Sequence, residues 1–214
     1  MRPQSLSVLD RAIVGFDKAL RAVIPNSNPS TRPLPVDSDA LPELSINEAR
    51  HVAGLMRINH TGEVCAQGLY HGQALTAKND TVREAMHHSA EEEIDHLVWC
   101  ETRLNELSSH PSVFTPIWYG LSFGMGAAAG LISNEFSLGF VAETEAQVSE
   151  HLQDHISQLP KQDQRTAQIL QQMDIEELQH RSAAIDHGGT PLAPPVRITM
   201  RWLANQMKAV AYHL

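Results

Sequence analysis

Along most of the chain, apolar residues recur three or four positions apart with polar residues between them, a spacing that predicts helices. In the first such stretch, residues 5–24, Leu9, Ile13, Phe16 and Leu20 share one side, so an amphipathic helix is expected. Five prolines follow (Pro25, Pro29, Pro33, Pro35 and Pro42) and exclude a helix, predicting an extended linker over the surface. The pattern divides the chain into residues 1–44, an N-terminal helix with its proline-rich linker, and a larger domain over residues 45–214.

Ser45-Ile46-Asn47-Glu48 has the form of a capping box and opens a helix expected to reach about residue 77. Asn79 caps a second, over about residues 81–107. No charged residue occurs from Pro111 to Asn134, and the apolar heart of that segment is Ile117 to Ile132. It falls short of the roughly 20 residues that span a bilayer, so a helix crossing the bundle, buried or touching a membrane, is expected. Gly120, Gly124, Gly126 and Gly130 would admit close neighbours there. Further helices are predicted over about 135–159, ended by Pro160, and about 163–187, ended by Gly188-Gly189. A basic amphipathic helix over 196–213 closes the chain, and no stretch reads as a strand, so the fold class is all-α.

Charge narrows the partners. The formal net charge is −9, which argues against nucleic acid. Basic residues collect at the ends (Arg2, Arg11, Lys18 and Arg21; Arg197, Arg201 and Lys208), a distribution suited to an anionic membrane surface. The two cysteines, Cys65 and Cys100, lie in helical patterns and are expected reduced, in a cytosolic-type compartment. The N-terminus lacks the apolar run of a secretory signal.

Chemistry is concentrated in a unit that occurs twice. Glu93-Ile94-Asp95-His96 and Glu177-Leu178-Gln179-His180 each place a carboxylate and an imidazole three apart, on one helical face. About thirty residues before each lies another helix glutamate, Glu63 and Glu145. Glu63 and the first unit are equally far from the Asn79 turn, and Glu145 and the second are equally far from the Pro160 to Asp163 turn. In antiparallel hairpins that symmetry puts all six residues at one depth, as in a dinuclear carboxylate site of a ferritin-like four-helix bundle with a long crossover. Four buried carboxylates demand countercharge, and mixed carboxylate and imidazole donors suit iron or manganese better than structural zinc. Glu93 and Glu177 are the expected bridges, and Glu63 and Glu145 the terminal ligands. Glu92, Asp95, Asp174 and Glu176 read as solvated charges or as partners of the histidines. His151 and His155 read as a polar face, with His151 a candidate neighbour of the site, and Cys100 as core filling.

Arg57-Ile58-Asn59-His60-Thr61-Gly62-Glu63, Glu91-Glu92-Glu93-Ile94-Asp95-His96-Leu97 and Glu176-Glu177-Leu178-Gln179-His180, with Asp186-His187-Gly188 behind, closely resemble the demethoxyubiquinone hydroxylase family of ubiquinone biosynthesis. The resemblance runs from about residue 46 to the C-terminus, and the segment before it looks like the longer bacterial form. It implies iron ligands Glu63, Glu93, His96, Glu145, Glu177 and His180 and two iron ions. The implied activity is a monooxygenase using O2 to hydroxylate a polyprenyl benzoquinol, with NADH or the quinol as reductant. The implied placement is peripheral, on the cytoplasmic face of the cell membrane, and a homo-oligomer is compatible with it. One departure is Leu152, where the resemblance to animal relatives leads one to expect an aromatic hydroxyl. A ferritin-like iron store and a rubrerythrin-like or manganese-catalase-like peroxidase share the bare Glu-x-x-His pair and are the alternatives.

Overall fold

The computed structural model describes residues 7–38 and 40–214. The expected helix start at residue 5 and the charge of Arg2 lie outside them. Seven helices occur among the described residues: α1 (Val8–Val23), α2 (Ile46–Thr76), α3 (Asp80–Glu106), α4 (Thr115–Ile132), α5 (Asn134–Gln158), α6 (Gln164–Asp186) and α7 (Pro194–Ala211). Their boundaries follow local chemistry. The Ser45–Glu48 capping box forms, Asn79 caps α3 through the amide of Val82, and Ser133 and Asp163 cap α5 and α6. α7 begins at Pro194, two residues earlier than expected, because proline is tolerated in a first turn that needs no N–H.

Helices α2, α3, α5 and α6 form the bundle, built from the hairpins α2/α3 and α5/α6. Gln73 donates to the Ser137 carbonyl while Asn59 meets His155, so α5 runs antiparallel to α2. Helix α4 carries the chain between hairpins and packs along α2. The contacts advance together, Gly68 beside Tyr119, Gly72 beside Phe123 and Gly130 beside Thr76, so this pair is parallel. A Cβ on Gly72 would sit 2.1 Å from the Phe123 carbonyl oxygen, and one on Gly126 the same distance from that of Leu69. The four glycines of the apolar segment are therefore not alike. Gly126 and Gly130 seat α4 on α2, whereas Gly120 and Gly124 face open space.

The core has two apolar plugs. Val52, Met56, Trp99, Cys100, Leu104, Leu152, Ile169 and Met173 fill the end nearer the α2 N-terminus. Tyr70, Ala74, Val82, Met86, Leu138, Val141 and Ala184 fill the end nearer the α2/α3 turn. On every bundle helix, the residues of the repeated units and their partner glutamates (Glu63, Glu93, His96, Glu145, Glu177 and His180) fall between the two plugs. Helix α7 lies against α2 and α5, tied by Arg197 to Glu143 (2.8 Å) and Arg201 to Glu150 (2.6 Å). No helix among the described residues is long and apolar enough to cross a membrane.

Candidate metal centre

The polar layer draws one glutamate from α2 (Glu63) and one from α5 (Glu145), and a glutamate and histidine from each of α3 (Glu93, His96) and α6 (Glu177, His180). Donor atoms of Glu63, Glu93, His96 and Glu177 all lie within 4.8 Å of one another, and all four residues are buried. Nδ1 of His96 is 2.7 Å from Glu93 Oε2 and 3.3 Å from Glu177 Oε1. Nδ1 of His180 is 2.8 Å from Glu93 Oε1 and 3.7 Å from Glu177 Oε2. Each of these two carboxylates thus turns one oxygen to each histidine, the disposition of a bridge between two cations. Glu63 reaches the His96 side, at 3.8 Å from Nδ1. Glu145 stands beside Glu177, buried, and accepts a hydrogen bond from the Tyr70 hydroxyl.

Electrostatics show how crowded the layer is. Burial pushes the Glu63 carboxyl up to about 8, with Glu177 and Glu93 adding to the shift and His96 opposing it. Glu145 is raised well above the ordinary range by burial and by the adjacent Glu177. Burial works in the same direction on Glu93 and Glu177, but the two imidazoles outweigh it and hold both carboxylates ionised. His96 and His180 are held protonated against burial, His180 up to about 12. Without a cation the layer is neutralised by shared protons, which divalent metals would displace. The donor set fits such metals: both Glu93 oxygens, one Glu177 oxygen and both histidine Nδ1 atoms are buried with no well-directed hydrogen bond.

Around this set the acids preceding each repeated unit exchange partners. Glu176, before Glu177, accepts from Nε2 of His96 at 2.7 Å; Glu92, before Glu93, lies 3.3 Å from Nε2 of His180. Each histidine is therefore oriented by the opposite half of the repeat, with Nδ1 left for the metal side. Asp174 instead accepts from Ser149 and Gln153, and Asp95 from the segment before α2. His155 is no exposed polar face: it is buried and lies 2.8 Å from Asn59. His151 lies 3.2 Å from the Gln147 carbonyl oxygen, turned back along its own helix. Leu152 and Cys100 are core. Tyr70 is the residue that the pattern missed. Its only signal is its place seven after Glu63, two turns along the same face of α2.

A cavity of about 450 Å³ opens beside the layer, bounded by α2, α4, α5 and α7. Its lining includes Gly62 and Cys65, which flank Glu63 in the sequence of α2, and Thr144 and Val148, which flank Glu145 in that of α5, while the six residues of the layer lie behind them. Leu69, Trp118, Met125 and Met207 make most of its wall apolar. Its size is that of a site for an organic molecule of moderate size.

The family described as Ubiquinone biosynthesis protein COQ7 matches residues 50–211. A protein from Psychrobacter sp. (strain PRwf-1) named 3-demethoxyubiquinol 3-hydroxylase is 76% identical over 211 residues, 99% of each chain. Proteins of the same name from Psychrobacter arcticus (74% over 214 residues, 100% of this chain and 99% of the relative) and Acinetobacter baumannii (54% over 206 residues, 96% and 97%) are also similar.

Proposed function

The chain belongs to the family of the ubiquinone biosynthesis protein COQ7, and from that premise we propose that it is a di-iron monooxygenase hydroxylating the ring of a polyprenylated demethoxyubiquinol. The observation that carries the metal half of this reading is the pair Glu93 and Glu177, each with one oxygen toward each histidine. Glu63, Glu93, His96, Glu145, Glu177 and His180 would hold two iron ions. Bound there, the irons would supply the O2 binding and electron transfer that ring hydroxylation requires. One oxygen atom enters the ring and the other leaves as water, which consumes two electrons, from NADH or the quinol itself, and two protons, of which at least one comes from solvent when NADH is the donor.

The protein's own part is positional. Glu93 and Glu177 would keep the two metal positions adjacent, and the largely apolar cavity, lined by Gly62 and Thr144, the chain neighbours of Glu63 and Glu145, would seat the quinol head beside the layer. The relatives' names and this cavity favour the hydroxylase over an iron store or a peroxidase, neither of which needs a greasy chamber for an organic ring.

A polyprenyl tail resides in a bilayer, so we place the protein peripherally on the cytoplasmic face of the cell membrane. Support comes from exposed apolar side chains on three helices: Leu9, Ile13 and Phe16 on α1, Ile117 and Leu121 on α4, and Ile198 and Trp202 on α7. Arg197 and Arg201 are engaged with α5 carboxylates, so apolar area carries more of this attachment than charge.

The test is a strain lacking the protein. It should accumulate the demethoxy quinone, regain ubiquinone with the wild-type chain, and fail to do so with Glu177→Ala, whose purified form should retain no iron pair. Ubiquinone made normally without the protein, or full rescue by Glu177→Ala, would sink the reading.

A further inference from the structure

The segment between α1 and α2 does more than connect them. Ser30, Thr31 and Arg32 close around the Asp95 carboxylate: the Thr31 amide donates at 2.7 Å, its hydroxyl at 2.8 Å, the Ser30 hydroxyl at 3.0 Å and Arg32 Nε at 2.6 Å. The other edge of the same guanidinium grips both oxygens of Glu176, at 2.7 and 2.9 Å, and its plane lies over the Trp99 ring at 4.7 Å. Glu176 in turn holds Nε2 of His96 at 2.7 Å. A continuous chain of contacts, Asp95 to Arg32 to Glu176 to His96, thus runs from a strap outside the matched residues 50–211 into the polar layer. Among the described residues, nothing equivalent supports the other histidine. The Glu92 side chain opposite His180 is 47% exposed, and its other partner is His88 at 3.1 Å.

We propose that Arg32 is a positioning residue that makes the two metal positions unequal, holding His96 so that the metal beside it binds first and more tightly. The inference rests on the metal reading above. Asp95 and Glu176 are only 3% and 12% exposed at their side chains while Arg32 is 41% exposed, so the acids' side of each pairing is sheltered and the bidentate grip on Glu176 fixes its orientation. Arg32 has two opposed effects on His96. It draws charge from Glu176, which weakens the pull on the Nε2 proton, and it keeps that carboxylate in place. Position dominates: without the guanidinium, Glu176 would keep only the Gln172 donor (2.6 Å) besides His96 itself, and with its other oxygen released it would turn toward water, leaving Nε2 less firmly braced.

The experiment is a titration of the metal-free, full-length protein with Co(II) in competition with a chromophoric chelator, which yields two stepwise affinities. Wild type should bind two ions with unequal constants. Arg32→Gln should weaken the tighter step by about tenfold, the scale of losing an outer support of a ligand histidine, and leave the weaker step within about twofold. Arg32→Lys should fall between them. In a Glu176→Gln background, Arg32→Gln should add less than about twofold, because both changes break one chain of contacts. A merely structural strap would weaken both steps together and show no such coupling; that result, or unchanged constants in Arg32→Gln, overturns the proposal. Should Arg32→Gln fail to fold, Arg32→Lys decides: equal loss on both steps, or none, counts against it. Wild type binding no metal would instead overturn the metal reading underneath.

Discussion

The Tyr70 hydroxyl donates to Oε1 of Glu145 at full burial, from a position two helical turns beyond Glu63 on the same helix. The phenol is the neutral hydrogen-bond partner of a buried carboxyl. Tyr70→Phe keeps the packing of the turn-side plug and removes only that donor. The metal-free protein should lose about 1–3 kcal/mol, the cost of a stranded buried acceptor, seen as a drop of several degrees in its melting temperature. Metal loading should recover part of the loss, since a cation would satisfy the same oxygen. An unchanged melting temperature in the metal-free variant would show that Glu145 has another partner.

The metal-free protein should become less stable as pH rises toward about 8. Glu63 carries a folded-state value of about 8 against an ordinary 4.5, so the folded chain keeps a proton that the unfolded chain has lost. Its contribution is full below about pH 4.5 and is lost as pH passes through about 8. His96 and His180, both raised, act in the same direction. Metals displace these protons, so their stabilisation should grow over the same range. Melting curves of metal-free and Co(II)-loaded protein between about pH 6 and pH 8 should diverge; a constant gap would contradict this account.

Two glycines only two residues apart, Gly124 and Gly126, behave oppositely in space. At Gly126 a methyl group would strike the Leu69 carbonyl oxygen at 2.1 Å, whereas at Gly124 it would meet nothing within 4 Å. Gly126→Ala should therefore push α4 off α2 and cost at least about 1–3 kcal/mol, with loss of the cavity that those helices bound. Gly124→Ala should be neutral or stabilising by up to about 1 kcal/mol through helix propensity. Chemical denaturation of the pair decides it, and equal effects would mean that the helices are not in this contact.

Attachment to a bilayer should depend on apolar side chains more than on salt. Wild type should float with anionic vesicles and remain largely bound in raised salt, because Arg197 and Arg201 already face α5 carboxylates. Replacing Ile198 and Trp202, both exposed on α7, with aspartate should reduce the bound fraction severalfold without changing the fold. Wild type left at the bottom of the gradient would refute the membrane placement.

Helix periodicity, caps and the doubled Glu-x-x-His were sufficient to anticipate an all-α bundle of two hairpins and to bring six residues to one depth. Those are consequences of short-range geometry: three residues is one face, and equal distance from a turn is equal height. The histidines' partners were half legible, since Glu92 and Glu176 stood out beside the repeat, but their exchange between halves was not. Tyr70, the reach of Arg32 from a proline-rich strap, and the division of the glycines into packed and open were decided by tertiary structure alone. Each depends on which surfaces of distant segments meet, and a pattern of hydrophobic and polar positions says which way a residue faces without saying what stands opposite it.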